Sequence, residues 1–254
     1  MTDNSALFYK ISGTGKPLVF LHGFLEDHSV WNSVYPHFVN LGFKVILIDL
    51  PAHGKTRFEG EICTMKFMAE KVVELLEKIG VENSSVIGHS MGGYVALEML
   101  RIRAFSITLV HTNFWADSDS KKSDRNRVIE VVKKNKSLFL NESIPNLFAS
   151  QNREYRREDI QNLISKAMKF PVPEICAATA GLRDRIESYD LMEKNTVSII
   201  QGDNDAIIPN QLLESEIHKL SNKPTIYHLE NCGHMSFIEQ PDALINCLEK
   251  ILIG

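Results

Sequence analysis

Short apolar runs recur along the chain, separated by stretches whose apolar positions repeat with helical spacing. The runs are Leu18-Val19-Phe20-Leu21, Val45-Ile46-Leu47-Ile48, Ser85-Val86-Ile87, Ile107-Thr108-Leu109-Val110, Val197-Ser198-Ile199-Ile200 and Thr225-Ile226-Tyr227-His228-Leu229. They are continuous rather than alternating, which marks strands covered on both faces and hence a parallel sheet. Between them, residues 64 to 79 set Phe67, Met68, Val72, Leu75, Leu76 and Ile79 on one helical face, with Thr64 as N-cap and Gly80 as terminator. Residues 94 to 100, 210 to 220 and 241 to 252 also read as helices. Strand alternating with helix predicts an α/β fold with a doubly wound, mostly parallel sheet, whose ligands sit at the carboxyl ends of the strands. Before Pro17 there is room for one strand, near Phe8 to Ser12, so the sheet is expected to be short of a full first strand.

The rhythm breaks between residues 113 and 190, where no strand-like run occurs and charged, helix-forming sequence takes over. This segment reads as a helical cap inserted within a single domain, whose core is residues 1–112 and 191–254. Pro145, Pro171 and Pro173 divide it into three or four helices. Leu138, Phe139, Leu147, Phe148, Met168 and Phe170 are available to pack it onto the sheet.

At 254 residues and 44% hydrophobic content, the chain can bury one large core. Its net charge of −4, from 28 basic and 32 acidic residues, favours neither nucleic acid nor an anionic membrane as a partner. The one basic cluster (Lys121, Lys122, Arg125, Arg127, Lys133, Lys134 and Lys136) alternates with Asp119, Asp124 and Glu130 and reads as a solvated helix face. Cys63, Cys176, Cys232 and Cys247 have neither metal-site spacing nor the density of a disulfide scaffold and are expected to be reduced thiols. There is no leader-like N-terminus and no apolar run of the roughly 18 residues that span a bilayer, so a cytoplasmic location is expected.

The chemistry concentrates in Gly88-His89-Ser90-Met91-Gly92-Gly93, a turn between a strand and a helix that presents Ser90 at the tip of the sheet. A serine hydroxyl needs a base within hydrogen-bond reach, itself oriented by a carboxylate. His234 follows the last strand, and Asp205 follows the strand ending at Gln201. Both lie at the same sheet edge as Ser90. Asp203 shares the loop with Asp205; the spacing to Pro209 favours Asp205 as the acid and leaves Asp203 to shape the turn.

These motifs resemble those of capped serine hydrolases of the α/β-hydrolase superfamily over nearly the full length. His22-Gly23-Phe24 is similar to that family's oxyanion loop, residues 49 to 56 to the loop after the next strand, and residues 88 to 93 to its nucleophile elbow. Gly202-x-x-Asp205-x-x-x-Pro209 resembles the acid loop, and Gly233-His234 with Glu239-Gln240-Pro241 the histidine loop. The resemblance implies a triad of Ser90, Asp205 and His234, and an oxyanion hole from the backbone N–H groups of Phe24 and Met91. Two positions depart from the pattern: Ala52 stands where the family has the first glycine of its Gly-x-Gly, and Thr56 where it has serine.

Other polar residues receive plainer readings. His22 and His89 are expected to hydrogen-bond within loops and core, and His53, His111 and His228 have no partner at metal-ligand spacing, so neither metal nor cofactor is expected. Gly13-Thr14-Gly15-Lys16 is a turn before a strand. Asn113, Phe114 and Trp115 either line the substrate pocket or pack between the lobes. Arg153, Arg156, Arg157, Arg183 and Arg185 are read as surface salt-bridging residues, any one of which could instead bind a substrate carboxylate.

The expected activity is hydrolysis of a small or medium carboxylic ester, lactone or thioester through an acyl-enzyme on Ser90, with a small-molecule acyl compound as the binding partner. Two alternatives use the same residues. One is carbon–carbon hydrolysis or the pyruvate-eliminating step of menaquinone biosynthesis, whose enzymes carry arginine where this chain has Tyr94. The other is a ligand receptor with little turnover.

Overall fold

The computed structural model describes residues 6–254. Seven strands form one sheet: β1 (Tyr9–Ser12), β2 (Pro17–Leu21), β3 (Lys44–Ile48), β4 (Ser85–His89), β5 (Ser106–Val110), β6 (Val197–Gly202) and β7 (Thr225–Leu229). Their spatial order is β1-β3-β2-β4-β5-β6-β7. Every pair is parallel except β1 with β3, where the short first strand runs antiparallel along the edge. From β2 the chain crosses outward to β3, then returns past β2 to β4 and continues in the other direction. The crevice where those directions diverge, beside the carboxyl ends of β2 and β4, is where open α/β sheets bind ligands.

Helices α1 (Tyr35–Asn40), α2 (Met65–Lys78) and α3 (Met91–Leu100) connect the first half of the sheet; α4 (Asp119–Ser143), α5 (Arg157–Ala167), α6 (Val172–Arg183) and α7 (Tyr189–Lys194) all fall between β5 and β6. The last three are α8 (Asn210–Ile217), α9 (Ser236–Glu239) and α10 (Pro241–Ile253). Thr64 caps α2 as its position suggests, its hydroxyl accepting the Phe67 N–H at 3.1 Å. No helix among the described residues is long and apolar enough to cross a membrane.

Alternate strand residues supply two cores, one on each face of the sheet. Val19, Leu21, Ile46, Ile48, Val86 and Leu109 pack with Met68, Val72 and Leu76 of α2 and Val95 and Met99 of α3. On the opposite face, Phe20, Val45, Leu47, Ile87 and Ile200 pack with Trp31, Phe38 and the α10 residues Leu244 and Leu248. This second core is continuous with Leu140, Ile144, Phe148, Leu163 and Phe170 from the segment between β5 and β6, which is how that segment is anchored. Leu138 and Met168, expected to pack inward, are instead 47% and 39% exposed. Leu138 follows a break inside α4, where Asn135 leaves helical geometry (φ −154°, ψ 79°) and its side chain accepts the Leu138 N–H, restarting the helix in a new direction; Met168 stands at the C-terminal cap of α5.

The departure at Ala52 has a visible conformational consequence: its φ is 67°, a left-handed backbone that ordinarily favours glycine. Thr56 retains the hydroxyl its position calls for, donating to the Asp49 carbonyl at 2.7 Å and accepting the Phe8 N–H at 2.9 Å.

Candidate active site

Ser90 sits directly after β4 with φ 48° and ψ −114°, a backbone state that surrounding packing must impose. The packing is tight enough to require glycine on both sides of it. A Cβ on Gly88 would lie 2.6 Å from the Gly93 Cα, and one on Gly92 would lie 2.5 Å from the Leu21 carbonyl oxygen. The elbow is also tied to the neighbouring strand, the Ser90 N–H donating to the Val110 carbonyl at 2.9 Å. Met91 opens α3, so its N–H belongs to the first helical turn, where no intrahelical acceptor exists. Phe24 lies in the loop after β2, the strand paired with β4, with its ring 5.9 Å from that of His53.

Asp205, in the loop after β6, and His234, in the loop after β7, meet at the same edge. The His234 Nδ1–H donates to Asp205 Oδ2 at 2.8 Å, and both residues are buried. Asp203 points elsewhere and pairs with the exposed His228 at 3.1 Å. The other Asp205 oxygen accepts the N–H groups of Ile207 and Ile208 at 2.8 and 3.1 Å. Burial alone would raise the Asp205 carboxyl, but the charge of His234 and hydrogen bonds from His111 and His234 hold it well below the usual carboxylate range.

The plainer readings of the histidines need revision where the structure adds partners. His22 behaves as expected, its Nδ1–H donating to the Gly23 carbonyl at 2.8 Å and its Nε2 accepting the Leu50 N–H at 3.0 Å. His89 does more. Its Nδ1–H donates to Glu26 Oε2 at 3.1 Å, its Nε2–H donates to the His234 carbonyl at 2.9 Å, and its ring lies 5.0 Å from that of His234. Glu26 also accepts the Gly23 N–H at 2.7 Å, so one buried pair joins the loop after β2, the elbow and the histidine loop. His111, isolated in the sequence, brings its Nδ1 within 3.1 Å of Asp205 Oδ2. His111, Asp205 and His234 offer atoms within 4.8 Å of one another, but both ring nitrogens facing the carboxylate are engaged with it, which accounts for the cluster as a proton-sharing unit.

The histidine loop is held from the other side by Glu239. One of its oxygens accepts the Gly233 and Met235 N–H groups at 2.9 and 3.3 Å, and the other accepts the Ala149 N–H and Asn152 Nδ2–H at 2.9 and 2.8 Å. The His234 N–H donates to the Leu147 carbonyl at 2.7 Å. Residues 147–152, from the segment between β5 and β6, are thus bonded to His234 directly and, through the Glu239 carboxylate, joined to both of its neighbours. Sequence placed Glu239 in the histidine loop without revealing this role, because Ala149 and Asn152, the partners on the far side, lie 90 and 87 positions away.

Asn113 is buried and its Oδ1 has no protein partner. Phe114 and Trp115 pack against each other and, with Tyr94, Leu97 and Arg185, line a small recess that Ser90 does not share. Arg153, Arg156, Arg157 and Arg183 make hydrogen bonds or ion pairs with neighbouring groups. Arg185 is a correction: it is buried, paired with Asp117 at 2.7 Å, and its guanidinium lies 4.4 Å from the centre of the Tyr94 ring. The core around α3 and the Asp117 carboxylate enclose it, which no local pattern of charge predicts.

The chain is similar in sequence and fold to known proteins. A profile of the alpha/beta hydrolase family matches residues 18–246. The pimeloyl-(acyl-carrier protein) methyl ester esterase of Aeromonas hydrophila is 25% identical over 253 aligned residues, which cover 94% of this chain and 96% of that protein. Among solved structures, a thermophilic esterase from Thermogutta terrifontis superposes with a TM-score of 0.89 at 26% identity, covering 97% of this chain and 92% of the other. The enol-lactonase of Burkholderia xenovorans LB400 shares the fold, with a TM-score of 0.87 at 16% identity over 98% of this chain and 96% of that one. With its parallel sheet, elbow and family match spanning nearly the whole length, the chain belongs to the alpha/beta hydrolase family and is an α/β-fold hydrolase.

Proposed function

We propose that the chain is a serine hydrolase that cleaves a small or medium carboxylic ester, lactone or thioester through an acyl-enzyme on Ser90. The observation that carries this reading is the buried Asp205–His234 hydrogen bond of 2.8 Å at the sheet edge where the strained Ser90 turn ends β4. In this mechanism His234 Nε2 takes the Ser90 proton as the hydroxyl attacks the carbonyl, and Asp205 keeps Nδ1 protonated and stabilises the imidazolium that forms. The N–H groups of Phe24 and Met91 receive the developing oxyanion. His234 then returns the proton to the leaving alcohol or thiol, and water releases the acid by the same route reversed. The full-length similarity to a methyl ester esterase supports ester cleavage in particular.

Residues 113–190 act in this reading as a cap over the site, anchored through Phe148 and Phe170 and bonded to the histidine loop through Glu239. Asn113, with an unpartnered carbonyl oxygen at the end of β5, is the pocket residue best placed to contact substrate, while Phe114 and Trp115 act through packing.

The test is labelling with a p-nitrophenyl phosphonate followed by peptide mass analysis, beside p-nitrophenyl esters of increasing acyl length and a vinylogous diketone. Modification confined to Ser90, with ester turnover exceeding diketone turnover, is expected. An unmodified Ser90 in folded protein overturns the reading.

A further inference from the structure

Asp205 Oδ2 accepts from two imidazoles. His234 approaches at 2.8 Å and His111 at 3.1 Å, from the ends of different strands, and their rings lie 5.5 Å apart. His111 follows β5 with φ 48°, left-handed backbone that a histidine adopts at a cost, and its side chain is fully buried. Its Nδ1 also faces the Gly202 N–H, at 3.4 Å. The two partners demand opposite protonation at that nitrogen. The carboxylate is nearer and charged, and an unprotonated Nδ1 would set a lone pair against it, so Nδ1 carries the proton. The Nε2 atom then needs no donor hydrogen, which suits a buried site where it has no partner.

With the N–H groups of Ile207 and Ile208 on Oδ1, the four acceptor positions of the Asp205 carboxylate are filled. Two consequences follow. The carboxylate plane is fixed from both ends, and with it the direction in which His234 is held. Sharing Oδ2 also makes the carboxylate a weaker base toward His234 than a carboxylate with one imidazole partner would be.

On the serine-hydrolase reading above, we propose that His111 is a positioning residue of the catalytic site: a neutral Nδ1–H donor that orients Asp205 and tempers its hold on His234. It acts through Asp205 and touches no reacting atom. Burial, only partly offset by Asp205, pushes the His111 imidazole down to about 4, so it stays neutral through the range in which esters are assayed. The other ionisable groups around the cluster are His89, whose ring lies 5.9 Å from His111 and 5.0 Å from His234, Glu26 behind His89, and Cys232 and Glu239 on the histidine loop. None of them contacts Oδ2 in place of His111.

The test uses two substitutions and one measurement on the unaltered protein. His111→Phe keeps a ring but removes the donor; His111→Asn restores a donor and tolerates left-handed backbone. His111→Phe is expected to lower kcat on p-nitrophenyl acetate roughly tenfold with KM changed less than about twofold, as small misorientation of a catalytic group does. Its acid limb of kcat/KM moves to higher pH, because Asp205 with one donor holds the protonated His234 more strongly. His111→Asn returns both toward wild type. A purely structural His111 would lower thermal stability and leave the acid limb in place, which overturns the proposal. On wild-type protein, two-dimensional ¹H–¹⁵N correlation of the histidine rings should show His111 as the neutral Nδ1–H form at pH 7; an Nε2–H form overturns the proposal even if His111→Phe does not fold. Phosphonate labelling of wild-type Ser90 separates the two levels: no labelling sinks the hydrolase reading, whereas labelling with an unmoved acid limb sinks only the role of His111.

Discussion

Glu26 and His89 form a buried ion pair at the sheet edge that carries Ser90 and His234, the imidazole donating across 3.1 Å to Oε2 while its other nitrogen donates to the His234 carbonyl. Burial alone would discharge both. For His89 that penalty is exceeded by the charge and hydrogen bond of Glu26 and by the His234 carbonyl, which raise its pKa; for Glu26 it is exceeded by His89, which lowers it. A group raised in the folded state contributes stability that is complete below its unfolded value, near 6.5, and is lost as pH climbs through the folded one. Glu26→Gln should therefore destabilise by about 3 kcal/mol near pH 6, the scale of breaking a buried pair. Urea unfolding at pH 6 and pH 9 checks this. The difference from wild type should shrink at the higher pH, and an equal difference at both counts against a charged His89.

The acid side has the opposite sign. Burial holds His53 and His111 down to about 3 and about 4, against 6.5 for an ordinary imidazole. From about pH 6.5 downward the unfolded chain binds protons the folded one refuses, so stability falls, each histidine contributing on the order of 3 kcal/mol by pH 4. Below that, loss of the Asp205, Glu26 and Asp49 carboxylates steepens the fall. Urea midpoints measured from pH 7.5 to 4 should show the first decline well before the carboxylates titrate. In His53→Gln that early slope should flatten.

Ser90 holds its conformation against its own preference, with φ 48° and ψ −114°. Ser90→Gly relieves strain of roughly 1–3 kcal/mol and gives back part of it through the freer unfolded glycine. The variant should be as stable as wild type or about 1 kcal/mol more stable, while ester hydrolysis falls by at least about 10³-fold. Calorimetry and p-nitrophenyl acetate turnover on the same preparation check both halves.

Glu239 joins the histidine loop to residues 149 and 152 through four hydrogen bonds. Glu239→Gln turns an –NH₂ toward N–H donors on one side or the other, which should cost about 2 kcal/mol. If the bridge sets the position of His234, kcat should drop while phosphonate still labels Ser90 slowly. A stability loss with unchanged kcat would confine Glu239 to holding the segments together.

Much of this architecture can be read from local pattern. The apolar runs at 18–21, 45–48, 85–87, 107–110 and 197–200 each became a parallel strand, because two covered faces leave no room for alternation. The run at 225–229 is an edge strand, and its mixed exposure matches the threonine, tyrosine and histidine in it. Thr64 capped its helix because a cap depends on residues three apart. The turns that carry Ser90, Asp205 and His234 were readable because their glycines and proline are local requirements of the backbone, and strand order then carries those turns to one edge.

What escaped the sequence involves distance along the chain. His111 lies 94 positions from Asp205 and Glu26 lies 63 from His89; nothing within a few residues of either says which carboxylate its neighbour will be. Arg185 reads as a surface charge because its helix-end surroundings are polar, yet Asp117 and Tyr94 bury it. Local sequence determined the strands, the turns and the chemical types gathered at the sheet edge, since backbone sterics and apolar periodicity act over a few residues. Only the folded structure decided which imidazole is charged, which is neutral and which two share one carboxylate oxygen, because desolvation and hydrogen bonding are set by whatever the tertiary packing brings within about 3 Å.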